Sequence, residues 1–168
     1  MTRPGVTVSV LSLFANLLSC GGSGVDFLDV VGIPPSDGAG IALSGEFATV
    51  FEVTSGGCDG IAGIDVPDKG IPQAFDIEIE QDNGTIDFDS IGARLRGGVS
   101  FEGEFDVGGA EIEDAGGEND NLQILVSVTG KFEDANSFEG KGTERLIGRI
   151  DGEEVDCTFS FDVSGVRK

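Results

Sequence analysis

The chain has 168 residues and is strongly acidic, with 31 aspartate and glutamate residues against 10 lysine and arginine residues and a net charge of -21. This charge repels nucleic-acid phosphates, so we expect no binding to nucleic acid. Histidine, tryptophan and tyrosine are absent, which excludes a Ser-His-Asp triad, a Cys-His pair and histidine-based metal centres. We therefore expect neither an enzyme nor a bound cofactor.

The first twenty-one residues have the pattern of an export signal. Arg3 precedes an apolar run from Val6 to Leu18, which is shorter than the roughly 20 apolar residues that span a bilayer as a helix. A positive start, a short apolar centre and a small-residue exit are typical of a secretory signal. The segment Leu17-Leu18-Ser19-Cys20-Gly21 resembles the lipobox of bacterial lipoproteins, which implies cleavage before Cys20 and attachment of lipid to it.

These features predict a lipid-anchored protein of the bacterial cell envelope, at the outer membrane or the cell surface. The alternative is a buried N-terminal strand in which Cys20 packs as a small apolar residue. The segment from Gly21 to Gly40 is rich in glycine, serine, proline and aspartate and is typical of a flexible tether. The predicted organisation is a signal peptide at 1–19, an anchored tether at 20–40 and a single domain at 41–168.

Beyond Ile41, apolar and polar residues alternate in one segment after another, which predicts strands with one buried face. The dipeptide Asn83-Gly84 predicts a two-residue hairpin that sets Ile79 opposite Phe88. Further turn signals are Gly56-Gly57, Gly97-Gly98, Gly116-Gly117, Asp134 to Asn136, and Asp151-Gly152.

Seven or eight strands in sequence order predict an all-β domain. We favour a small antiparallel meander β-barrel, since closing the sheet removes exposed edges; a β-sandwich is the alternative. If Cys20 carries lipid, Cys58 and Cys157 remain as a pair in an oxidising compartment. Cys58 follows the first strand and Cys157 lies in the last, so a disulfide between them would join the two ends of the meander.

Phenylalanines dominate the inward positions of the predicted barrel. They would either line a cavity at the barrel mouth or fill the core, and a filled core is favoured because about eight strands enclose little space. The candidate ligand-lining residues are Phe47, Phe51, Phe75, Phe88, Phe101, Phe105, Phe132 and Phe159.

Acidic residues near the Asn83-Gly84 turn are weak candidates for calcium ligands. Asp82, Asp87 and Asp89 cluster there, but their spacing departs from the EF-hand pattern. We therefore predict no metal site and keep a calcium-binding acidic domain as an alternative.

Residues 43 to 163 resemble the small lipocalin-like or avidin-like barrels of bacterial lipoproteins. The resemblance is carried by Leu43-Ser44-Gly45-Glu46-Phe47, by Phe-x-Gly-x-Phe and Gly-Lys-Phe segments, and by the terminal Cys157-Thr158-Phe159-Ser160-Phe161. It places Phe47 where lipocalins usually carry tryptophan and implies binding of a small hydrophobic ligand inside the barrel. The favoured function is a non-enzymatic scaffold or interaction protein that contacts the membrane through its lipid and another envelope protein through its surface. Ligand binding is the alternative.

Overall fold

A computed structural model describes residues 8–9, 40–57, 64–65, 67–90, 93–114 and 121–168. Residues between 45 and 167 form a closed barrel of eight antiparallel strands. Each strand pairs with its neighbours in sequence, and the last strand pairs with the first. The strands are β1 Gly45–Gly57, β2 Gln73–Asp82, β3 Thr85–Ser90, β4 Ala93–Val99, β5 Glu104–Asp114, β6 Asn121–Asp134, β7 Ser137–Ile150 and β8 Glu153–Arg167. The predicted meander barrel is confirmed, and the sandwich alternative is wrong.

The structure also contains a second sheet, which has two short strands. In it Val8–Ser9 runs parallel to Ile64–Asp65. The remainder of the predicted signal peptide and nearly all of the predicted tether lie outside the described residues.

Two of the predicted hairpins form, at the Asn83-Gly84 and Asp151-Gly152 turns. Asn83 adopts a φ of 55°, and Ile79 stands opposite Phe88 as the register predicted. Asp151 and Gly152 have φ values of 51° and 82°, as a type I′ turn requires. The turn between β6 and β7 also forms at the predicted place, at Ala135 and Asn136.

Two other glycine pairs were predicted wrongly as turns. Gly97-Gly98 lies inside β4, where Gly97 is opposite Val107. A Cβ at Gly97 would collide with the backbone carbonyl of Asp106, so glycine here permits close approach of two strands. Gly56-Gly57 closes β1 and pairs with β8 beside a register shift between Ser160 and Phe161. Gly116-Gly117 lies outside the described residues.

The lower end of the barrel, defined by the β2–β3, β4–β5 and β6–β7 turns, is filled by aromatic rings. Five phenylalanines contact one another there, with ring centroids 5.1 to 6.4 Å apart. These five, the ring cluster, are Phe47, Phe88, Phe105, Phe132 and Phe138. Tilted and edge-on pairs of this kind add to the stabilisation that burial provides.

Inward-facing glycines make room for these rings. A Cβ at Gly165 would collide with the ring of Phe138, and a Cβ at Gly142 would collide with the ring of Phe161. Large and small residues therefore alternate between facing strands, which lets a narrow barrel hold so many aromatic side chains.

Arg167 closes the lower end where β8 meets β1. Its Nε donates to the carbonyl of Ala135 at 2.8 Å, Nη1 to that of Ser44 at 2.6 Å, and Nη2 to that of Ala42 at 3.2 Å. The guanidinium carbon lies 4.9 Å from the ring centroid of Phe47. The side chain of Arg167 thus links the segment before β1, the β6–β7 turn and the ring cluster.

Candidate functional site: the barrel interior

Most of the candidate ligand-lining phenylalanines lie inside the barrel. Phe47, Phe51, Phe88, Phe105, Phe132 and Phe159 are buried, and Phe75 is half-buried and packs against the core. Phe101 does not belong to this set, because its side chain is 71% exposed. β5 begins only at Glu104, so Phe101 lies in the preceding turn, where its ring adjoins Gly40.

The interior is largely filled rather than hollow. Among the described residues, an apolar chamber inside the barrel has a volume of about 40 Å³, far below the roughly 300 Å³ at which pockets for drug-sized ligands begin. Three of the predicted residues, Phe51, Phe75 and Phe88, line this chamber. The others pack away from it.

Phe138 and Thr49 lie in the interior but were not among the candidate ligand-lining residues predicted from the sequence. Phe138 joins the ring cluster and lines the chamber, but alternation did not reveal β7, whose inward positions include glycines and Glu144. Thr49 is 2% exposed, and its hydroxyl has no hydrogen-bond partner among the described residues. Its place between Phe47 and Phe51 in the alternation was the available signal.

Glu144 is a carboxylate inside the barrel wall. It is 2% exposed and stands on β7 opposite Phe159 of β8 and Val126 of β6. Glu144 is separated from Phe138 and Leu146 by even numbers of residues, so it lies on the same inward side of β7, toward the upper end of the barrel. A buried carboxylate is unusual in soluble proteins, and the acidic composition hid it among many surface carboxylates.

Asp87, one of the weak calcium candidates, is held by two arginines on the outer face. Arg96 donates from Nε to Oδ1 at 2.6 Å and from Nη2 to Oδ2 at 2.8 Å, and Arg94 donates from Nη2 to Oδ2 at 2.7 Å. Burial raises the pKa of Asp87, but these hydrogen bonds and charges outweigh it, and the pKa lies below its usual value. Both carboxylate oxygens are therefore engaged by guanidinium groups.

The other two calcium candidates do not join Asp87 in a metal site. Asp82 accepts a hydrogen bond from the side chain of Asn83 at 2.9 Å, and Asp89 is exposed. Within the described ranges, no group of three or more carboxylate or cysteine side chains could hold a metal ion.

Of the three cysteines, only Cys157 is among the described residues. It faces inward on β8 and is 9% exposed, and its sulfur is not a free thiol. Cys20 and Cys58 lie outside the described residues. Next to Cys157 on β8, Thr158 stands directly opposite Gly57 of β1. This register is relevant to the predicted disulfide between Cys58 and Cys157.

The outer face of the barrel carries the acidic charge. Exposed ion pairs on this face include Lys141 with Asp162, Arg145 with Asp156, Arg149 with Glu154 and Lys168 with Asp76. Asp106 differs from these, because one of its carboxylate oxygens is buried without a hydrogen-bond partner among the residues that the structure describes. Burial raises the pKa of this side chain.

Comparison of the chain with models of known protein families gives no match, and comparison with curated proteins gives no significant one. The described part of the chain contains no helix with the length and apolar character needed to cross a membrane.

Proposed function

We propose that this protein is an exported, lipid-anchored scaffold or interaction protein whose barrel is a rigid, non-enzymatic support. The observation that carries the proposal is the filled interior, because a core packed with phenylalanine rings leaves its outer surface and loops for contact with other molecules. The lipocalin-like architecture agrees with a support of this kind, since one fold can serve many functions through its surface.

The point at which the chain enters the barrel supports the anchored arrangement. The amide of Gly40 donates to the carbonyl of Phe101 at 3.3 Å, so the predicted tether reaches the barrel at its lower end. Nineteen residues lie between Cys20 and Gly40. On this proposal the lower end faces the membrane, and the upper end and the acidic sides face envelope partners.

A disulfide between Cys58 and Cys157 forms part of the proposal. Continuing the β1–β8 register by one residue beyond the pair Gly57 and Thr158 would bring position 58 opposite Cys157. Residues directly opposite in an antiparallel pair have Cα separations of roughly 4.5 to 5.5 Å, within the range that a disulfide can bridge. The bridge would fix the upper end of the seam at which the barrel closes.

Mass spectrometry of the native protein tests signal-peptide cleavage, lipidation of Cys20 and the disulfide together. We expect loss of residues 1–19, a diacyl or triacyl modification on Cys20, and a mass lower by two hydrogen atoms than that of the reduced protein. Cys20→Ser should release the protein from the membrane fraction. An unmodified Cys20 in a protein that fractionates with the membrane would refute the lipid anchor.

Titration with a hydrophobic fluorescent probe of fatty-acid size separates the scaffold proposal from the alternative of a hydrophobic carrier. The filled interior predicts no saturable binding by the folded protein at micromolar concentrations. Cross-linking in intact cells should instead recover an envelope partner. That cross-link should weaken when Asp76, Glu78 and Glu80 on the outer face of β2 are replaced by asparagine and glutamine. Saturable one-to-one probe binding would reject the scaffold and favour the carrier.

A further inference from the structure

The chamber inside the barrel has one polar group on an otherwise apolar wall. It lies between the ring cluster, represented by Phe88 and Phe138, and the ring pair of Phe51 and Phe161, whose centroids are 4.6 Å apart. Thr49 is the only polar side chain among its lining residues.

The hydroxyl of Thr49 is buried and has no hydrogen-bond partner in the described part of the chain. Thr49 stands opposite Phe75 of β2 and Gly165 of β8, so neither cross-strand neighbour offers a polar side chain. A buried hydroxyl without a partner is unfavourable, and the folded state is stabilised when a bound molecule supplies the missing hydrogen bond. Valine at this position would fill a similar volume without that need.

A single water molecule satisfies this site poorly. Buried waters make two to four hydrogen bonds, whereas this chamber offers one side-chain partner. The volume of about 40 Å³ corresponds to roughly three water-sized spheres. A molecule with an apolar body of that size and a single hydrogen-bonding group matches both the wall and the hydroxyl.

We infer that the chamber is a binding site for a very small amphipathic molecule, of the size of a short-chain alcohol, whose polar group pairs with Thr49. This inference goes beyond the scaffold function and does not depend on the lipid anchor. It also differs from a hydrophobic carrier, because the chamber admits only a few non-hydrogen atoms.

Methyl NMR with ethanol as the probe tests the site. The methyl groups of Val128, Ile77 and Leu95 line the chamber, and those of Leu43 lie outside it as an internal control. We expect saturable shifts of the lining methyls in the wild-type protein. Thr49→Val should bind ethanol roughly three- to tenfold more weakly, the effect of one net hydrogen bond. Xenon, which needs no hydrogen bond, should bind both proteins alike.

Two further variants keep the test decisive. Thr49→Ser retains the hydroxyl and should keep the ethanol affinity within about twofold of wild type, apart from the lost methyl contact. Val126→Leu adds a methylene to the chamber wall and should weaken binding of both probes. The inference is overturned if the lining methyls show no saturable response to ethanol, or if Thr49→Val binds ethanol as tightly as the wild type.

Discussion

Asp87 was grouped with Asp82 and Asp89 as a weak calcium candidate, but in the structure it forms ion pairs with two arginines. Its carboxylate lies on the outer face between the inward residues Ile86 and Phe88, yet only 9% of its side chain is exposed. Arg94 and Arg96 cover it from the next strand and supply three charge-assisted hydrogen bonds. Two of only ten basic residues in the chain are used at this point, which identifies it as a structural ion-pair cluster between β3 and β4.

Replacing Asp87 by asparagine should lower the free energy of unfolding by about 1 to 3 kcal/mol at pH 7, because hydrogen bonds to a charged group are lost. The pKa of Asp87 is lowered by folding, so its stabilising contribution is present above the unfolded pKa of about 3.9 and is lost as the pH falls through the folded value. The difference between wild type and Asp87→Asn should therefore shrink below about pH 4. Urea unfolding followed by circular dichroism measures it in a chain without tryptophan or tyrosine.

Asp106→Asn is the matched control, because its dependence on pH has the opposite sign. Burial raises the pKa of Asp106, so this carboxyl group stabilises the fold only below its unfolded pKa and loses that contribution as the pH rises through the folded value. Asp106→Asn should thus be at least as stable as the wild type at pH 7, with the advantage vanishing in acid. Equal pH profiles for the two variants would contradict both assignments.

At the scale of the strand, the pairing of glycine with phenylalanine determines how the barrel is filled. Gly165 on β8 lies beneath the ring of Phe138 on β7, and Gly142 on β7 lies beneath the ring of Phe161 on β8. On each of these two adjacent strands, a glycine leaves space for a phenylalanine ring of the other strand. Several of the 28 glycines of the chain are explained by this packing rather than by turns.

Gly165→Ala should destabilise the barrel by about 1 to 3 kcal/mol, the usual effect of overpacking a core. The new methyl group would collide with Phe138, which contacts the four other rings of the cluster within 6 Å and cannot move freely. Chemical denaturation measures the loss. Combining Gly165→Ala with Phe138→Leu should cost less than the sum of the two single changes.

Gly40→Ala provides the comparison at a site where the neighbouring ring can move. A Cβ at Gly40 would lie 3.0 Å from the ring of Phe101, but that ring is exposed and can rotate into solvent. We expect a change within about 0.5 kcal/mol. If Gly165→Ala were equally mild, the barrel interior would be far less tightly packed than the structure indicates.

At the scale of the whole molecule, the sequence predicted the architecture because alternation and turn chemistry act locally. Ile79 and Phe88 are paired by a two-residue turn whose geometry allows little freedom. The errors arose where glycine can favour either a turn or the close approach of two strands. Gly97 lies inside a strand and permits such an approach. Phe101 was predicted to face inward because the alternation of apolar and polar residues continues from β5 into the preceding turn, where Phe101 lies. The chamber at Thr49 could not be predicted, because cavity size depends on how rings from several strands pack together.

Closure of the barrel depends on one seam, where β8 pairs with β1 from Phe47 and Arg167 at the lower end to Gly57 and Thr158 at the upper end. Because these strands are the last and the first, their contacts have the greatest sequence separation in the barrel. Ordering such distant segments costs the most loop entropy. Arg167 offsets part of this cost at the lower end, and the proposed disulfide would do so at the upper end.

Arg167→Lys tests this role of the seam. Lysine keeps the positive charge but has a single ammonium group, which cannot reach the carbonyls of Ala42, Ser44 and Ala135 together as the planar guanidinium does. We expect the free energy of unfolding to fall by about 2 kcal/mol. Hydrogen exchange should also accelerate in the lower parts of β1 and β8, while the amides of β4 and β5 remain protected.

Lys141→Ala is the control for Arg167→Lys, since its side chain is 81% exposed in an ion pair with Asp162, and exposed pairs contribute at most about 1 kcal/mol. It should leave exchange at the β8–β1 seam unchanged. If Arg167→Lys instead accelerated exchange equally in all eight strands, its effect would be on global stability alone. Arg167 would then not be the group that holds the first and last strands together.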